Sequence, residues 1–140
     1  METLKKLIKN PMTLKFILVV IVLLIIRSLF IRRNNLIIES VVGSTITDQQ
    51  ANAFANGLYT AMAQLGTDEE SIQNIFAQLK TQANYNKVSN AFGQRGYNIT
   101  TGLGDDLLFN TPFNLGQWLR YELSSTEIQK LTTLFPNITF

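Results

Sequence analysis

Carboxylates are the side chains with which this chain could do chemistry, because it has neither cysteine nor histidine. That absence excludes thiol nucleophiles, disulfide frameworks, thiolate or imidazole zinc sites and every triad with an imidazole base. Three acidic groupings remain. Glu122 closes an amphipathic stretch beside Tyr121, Asp105 and Asp106 follow Gly102-Leu-Gly104, and Asp68-Glu69-Glu70 follows Gly66-Thr67. A glycosidase can work with carboxylates alone, one of them protonated as general acid, and Glu122 is the best-placed acid for such an envelope-acting enzyme. Adjacent carboxylates in a glycine-rich loop can ligate a cation. More commonly they mark a helix start, where acidic groups face the positive end of the helix dipole, and this is the favoured reading of Asp105-Asp106 and of Asp68-Glu69-Glu70. Trp118 and Tyr121 could be interfacial or stacking aromatics, but Trp118 lies at core spacing. Asn98-Ile-Thr100 and Asn137-Ile-Thr139 match the glycosylation sequon, which matters only in a eukaryotic secretory pathway.

The elements that must position these groups read as helices. Thr47-Asp-Gln-Gln50 is a capping box, followed by Ala51, Phe54, Leu58, Ala61, Met62 and Leu65 on one face, and Gly66 stops the run. Thr67-Asp-Glu-Glu70 is a second box, with Ile72, Ile75, Phe76 and Leu79 after it. A third helix runs from about Asn84, with Tyr85, Val88, Ala91 and Phe92 inward, and closes at Gly93 or Gly96. From Tyr97 to Pro112 the regularity lapses, apart from one turn of helix after Asp105-Asp106. Asn114-Leu-Gly-Gln117 starts a fourth helix bearing Leu115, Trp118, Leu119 and Leu123. Ser124-Ser-Thr-Glu127 starts a fifth bearing Ile128, Leu131, Leu134 and Phe135 before Pro136. Capping signals that agree with the periodicity predict a compact all-α domain over 47–140.

Upstream lies a different kind of segment. Phe16 to Ile26 is eleven residues without a polar side-chain atom, and Met12 to Ile31 extends it to twenty with few interruptions. A helix of that length spans roughly 30 Å, and its central residues contribute on the order of −5 kcal/mol on the insertion scale. A cleaved signal peptide should end in small residues, but Ser28-Leu-Phe-Ile-Arg-Arg33 is bulky and basic. A core helix is rarely apolar on every face in so small a protein. The reading is therefore a basic N-terminal segment (1–11), a single transmembrane helix with a basic flank (12–33), a linker (34–46) and the helical domain (47–140). Charge divides along the same line: Glu2 stands against seven basic residues up to Arg33, whereas 34–140 hold five basic and nine acidic side chains, a balance of −4. The basic clusters suit anionic headgroups. The domain has no basic run interleaved with aromatics, so nucleic acid is not an expected partner. Four lysines precede the apolar run and three arginines close or follow it, which slightly favours the domain on the non-cytoplasmic side.

The words at the helix junctions resemble a single annexin repeat over roughly residues 48–135. Met62-Ala-Gln-Leu-Gly-Thr-Asp-Glu-Glu-Ser-Ile72 is similar to that family's loop between its first two helices. Ala91-Phe92-Gly93 resembles the end of the third helix, and Trp118-Leu-Arg-Tyr-Glu-Leu-Ser-Ser-Thr-Glu-Ile128 resembles the passage joining the fourth and fifth. Annexins usually carry four repeats, and this chain has one. The resemblance implies a calcium site made by the carbonyls of Met62, Gln64 and Gly66 and the carboxylate of Glu122. Gln64 stands where the family's loop has its first glycine, and Thr67 and Glu122 lie further apart than the family's spacing, the excess falling in Tyr97–Pro112. Calcium takes six to eight oxygens, and this set has one carboxylate. The alternative is structural: Thr67 caps a helix, Gly66 turns the chain, and Glu122 is solvated or ion-paired.

Together these features predict a membrane-anchored, non-catalytic binding module that presents its domain to a protein, a lipid headgroup or an envelope component. Self-association or a protein partner is expected, and the resemblance adds anionic lipid, with calcium as the one cofactor.

Overall fold

A computed structural model describes residues 15, 17–24, 38–104 and 110–140. The chain divides into two compact units, 1–35 and 36–140. In the first, the described residues are helical, and 17–24 form its one continuous run. Among the described residues, no helix is long and apolar enough to cross a membrane. The transmembrane helix expected over 12–33, and the single-pass membrane description built on it, are corrected accordingly. The remainder of 12–33 and all of 1–11 lie outside the described residues.

The second unit holds helices α1 (Asp48–Met62), α2 (Glu69–Leu79) and α3 (Gln82–Phe92), strands β1 (Arg95–Tyr97) and β2 (Thr111–Phe113), then helices α4 (Leu115–Glu122) and α5 (Ser125–Leu134). Thr47, Asn114 and Ser124 close reciprocal capping boxes with Gln50, Gln117 and Glu127, satisfying amide donors that a helix start leaves open. The cap of α2 is Asp68 and not Thr67: its carboxylate accepts from the Ser71 amide at 2.9 Å and the Ser71 hydroxyl at 2.7 Å. Helix α3 is capped by Thr81, starts two residues before Asn84, and ends at Gly93 with φ +62°.

The domain is mostly helical, as expected, but it also holds a short two-stranded ribbon that an all-α reading leaves out. Arg95–Tyr97 pairs antiparallel with Thr111–Phe113, placing Gly96 opposite Pro112. Proline donates no amide hydrogen, which a two-stranded ribbon tolerates because each strand is an edge. Residues 105–109, where a helical turn was expected, lie outside the described residues.

Helix α1 packs against α2 and α3, and Trp118, Tyr85, Phe76, Leu58 and Met62 fill the centre. Trp118 donates its indole N–H to the Arg95 carbonyl at 3.3 Å, and its ring meets Tyr97 edge-on at 4.7 Å. Truncating such a residue costs about 3–5 kcal/mol. Leu65 leaves the apolar face because α1 ends at Met62, and it stands 88% exposed.

Residues 38–46, expected as part of a linker, are strapped to α3 by side-chain amides. Asn90 takes both main-chain groups of Glu39 at 2.9 Å, Asn86 donates to the Ser40 carbonyl at 2.8 Å, and Lys87 donates to the Ile46 carbonyl at 2.8 Å. Buried Asn84 accepts from the Thr45 amide at 2.7 Å and donates to the Leu79 carbonyl at 2.7 Å.

Candidate functional site

Glu122 is the last residue of α4, and the structure brings it onto the loop between α1 and α2. The Thr67 hydroxyl donates to Glu122 Oε2 at 2.7 Å, and the Tyr97 hydroxyl donates to Glu122 Oε1 at 2.7 Å. Because Asp68 caps α2, the Thr67 side chain is free to make this contact. Tyr97 arrives from β1, held between Phe113 (5.2 Å, stacked) and Trp118, with Tyr121 at 5.4 Å. Burial, then the bond to Glu122, pushes the Tyr97 hydroxyl above its ordinary value, so it remains a donor at neutral pH. Gly102, at φ +71°, brings the 98–103 turn alongside: a Cβ there would lie 3.8 Å from Glu122 Oε1.

The loop itself folds back through the Asp68 amide, which donates to the Ala61 carbonyl at 2.9 Å. Gly66 makes the turn at φ +84°, a conformation that favours glycine. The carbonyls of Met62, Gln64 and Gly66 accept no hydrogen bond from the described residues. Of the four groups the resemblance names, Gln64 and Gly66 are exposed on the loop and the Glu122 carboxylate is brought to its edge through Thr67, whereas Met62, the last residue of α1, is fully buried and its carbonyl is not open to a ligand. Four protein oxygens fall short of the six to eight calcium takes, so water or a ligand oxygen would complete the shell. Among the described residues no three acidic side chains converge as a metal cluster. A groove of ≈ 470 Å³ runs beside the loop between α1 and α2, lined by Gly57, Thr60, Gln64, Gly66, Asp68 and Ser71 among others.

Three large side chains close in sequence to Glu122 or to its partners Thr67 and Tyr97 are exposed. Leu65 is on the loop, Ile99 follows Tyr97, and Tyr121 precedes Glu122; they are 88%, 56% and 54% exposed.

Other sequence candidates lie elsewhere. Hydrogen bonds from the Ser71 side chain and amide hold the Asp68 carboxyl below its ordinary value, as suits a cap. Asp105 and Asp106 lie outside the described residues. Trp118 is buried in the core. Asn98 is buried and accepts from the Thr100 amide at 2.9 Å, so its sequon is folded into a turn, whereas Asn137 is exposed. Sequence reasoning missed Tyr97, since nothing in its spacing marks a residue delivered by a two-stranded ribbon.

The chain matches no known family model, no curated protein and no solved structure.

Proposed function

We propose that residues 36–140 form a non-catalytic binding module whose contact face is the α1–α2 loop with Glu122, and that the ligand is an anionic lipid headgroup surface. The observation that carries this reading is the convergence of Thr67 and Glu122 at 2.7 Å, with Leu65 exposed beside them. An apolar side chain held in solvent next to a carboxylate and open carbonyls suits an interface with apolar and charged layers. Calcium, held by the exposed carbonyls of Gln64 and Gly66 and by Glu122, would supply positive charge between the acidic domain and an anionic headgroup. Both oxygens of Glu122 already accept hydroxyls, an arrangement that positions the carboxylate; it gives the glycosidase reading no support.

The test is co-sedimentation of residues 36–140, a compact unit with its own core, with phosphatidylserine vesicles. Pelleting that requires calcium and is lost in Glu122→Gln and Leu65→Ser supports the reading. Absence of pelleting with and without calcium removes the lipid ligand and leaves the face to a protein partner.

A further inference from the structure

At the opposite end of α4 from Glu122 lies a second concavity, a polar cavity of ≈ 340 Å³ lined by Glu39, Tyr85, Ser89, Asn114, Gln117 and Arg120 among others. That volume is at the small end for ligand sites. Asn114 and Gln117 satisfy each other's main chains in the capping box of α4. The other four are not spent on one another. The Glu39 carboxylate, the Tyr85 hydroxyl and the Ser89 hydroxyl have no hydrogen-bond partner among the described residues. Arg120 makes one bond, from Nη2 to the Phe140 carbonyl at 2.9 Å, which leaves most of its donors open.

Two features make this more than a surface dimple. Tyr85 is only 2% exposed as a residue, yet its hydroxyl lies 3.8 Å from where a Cβ on Gly116 would stand, so the polar tip of a buried ring reaches the cavity, where solvent or a ligand can meet it. In addition, a carboxylate and a guanidinium share the cavity without pairing: the one ion pair among the described residues is Lys87–Asp48. Burial raises the Glu39 carboxyl above its ordinary value. Burial also pushes up the Tyr85 hydroxyl; the Glu39 charge adds to that and Arg120 opposes it, so both charges bear on the same hydroxyl.

We propose that this cavity binds a small zwitterion, an α-amino acid whose ammonium faces Glu39 and whose carboxylate faces Arg120 and the Tyr85 hydroxyl. A molecule that carries both charged groups on one carbon satisfies two unpaired groups at once, whereas a simple anion would meet Glu39 and a simple cation would meet Arg120. The strap supplies one half of the site, since Asn90 fixes Glu39 by its main chain and leaves its side chain free. The site is separate from the loop face, and either can fail without the other.

Titrating the 15N-labelled full-length chain with L-alanine, and separately with acetate and with methylammonium, tests this. Saturable shifts of α3 and α4 amides are expected with L-alanine and not with either single-charge probe. Glu39→Gln, a near-isosteric change on the strap, and Arg120→Gln should each weaken binding by about tenfold, the loss of one charge-assisted contact. Tyr85→Phe should weaken it less, and Lys130→Gln, a charge change at an exposed position of α5, should leave it unchanged. No saturable shift with L-alanine, equal response to acetate or methylammonium, or an affinity indifferent to Glu39→Gln overturns the proposal.

Discussion

Thr67 Oγ1 donates to Glu122 Oε2 at 2.7 Å, joining the α1–α2 loop to the end of α4 across 55 positions of sequence. The same carboxylate receives Tyr97 from β1, so one side chain ties a loop, a strand and a helix. Hydrogen bonds to a charged group are the stronger kind, and leaving one half-made in a partly buried setting costs more than its net contribution.

Replacing Thr67 by Val keeps the shape and removes the donor, and should cost about 1–2 kcal/mol. Tyr97→Phe should cost a similar amount, and the two together should depart from additivity by roughly 0.5–1 kcal/mol, because they share an acceptor. Urea unfolding of the two single variants and the double variant of residues 36–140 measures the coupling. Strict additivity would mean that the two hydroxyls do not act on one carboxylate.

The parts of this unit that sequence made legible are the local ones. A capping box needs only four consecutive residues, so Thr47, Asn114 and Ser124 announce their helices unaided. Position 67–68 offers two adjacent caps, and the choice of Asp68 is coupled to a partner 55 residues away, which local spacing cannot register. Leu65 is in phase with the apolar face of α1 but falls beyond its end, a boundary set by the turn at Gly66. The Gly96–Pro112 pairing uses residues that carry no strand signal of their own. The strap on α3 is recognised largely through main-chain atoms of residues 39, 40, 45 and 46, which any sequence would present equally, with the Ser44 and Thr45 hydroxyls adding to them at Asn84. On the candidate site, Glu122 and its loop were visible as words, whereas Tyr97 was not.

Gly96 faces a tight neighbour. A Cβ there would stand 2.6 Å from Asn110 Nδ2 and 2.9 Å from Asn110 Cβ, closer than real side chains approach. Gly96→Ala should therefore cost about 1–3 kcal/mol by overpacking. Replacing Asn110 by Gly in the same chain removes the obstructing atoms and should recover much of the loss. Thermal unfolding followed by circular dichroism reads both. If Gly96→Ala is neutral, the two strands are not as close as the register requires.

Stability should fall at both ends of the pH scale, for different reasons. Asp48 is lowered by Lys87, Asp68 by Ser71 and Glu127 by Ser124, each chiefly through a side-chain hydrogen bond. A lowered carboxyl contributes stability above its unfolded value, near pH 4, that is lost as pH falls through its folded value. Tyr85 and Tyr97 are raised, chiefly by burial, so their contribution is intact below about pH 10 and is lost as pH climbs through their folded values. Chemical denaturation across pH should show an acid limb that Asp68→Asn weakens and an alkaline limb that Tyr97→Phe weakens. An alkaline limb identical in Tyr97→Phe and Tyr85→Phe to that of the parent chain would contradict the burial of these hydroxyls.

Asn84 is the residue on which the strap turns. Its amide oxygen accepts from the Thr45 amide and the Ser44 hydroxyl, and its nitrogen donates to the Thr45 hydroxyl and the Leu79 carbonyl, all within 3.1 Å and at a position only 2% exposed. Asn84→Ala strands the Leu79 carbonyl and the Thr45 amide, and each unsatisfied group costs about 1–3 kcal/mol when water cannot reach it. The expected total is roughly 2–4 kcal/mol, lowered where solvent enters beside Thr45. Asn84→Asp retains the acceptor for Thr45 but loses both donors, so it should fall between the parent and Asn84→Ala. The strap should open first, because besides Asn84 it rests on the side chains of Asn86, Lys87 and Asn90 and on Ile46 against the core, and Val42 at 89% exposure adds no burial to hold it. Limited proteolysis should accordingly cut within 38–46 in Asn84→Ala at protease levels that leave the parent chain intact, while the core of α1, α2 and α3 remains protected. Cleavage of the parent and the variant at the same rate would mean that Asn84 does not govern the strap.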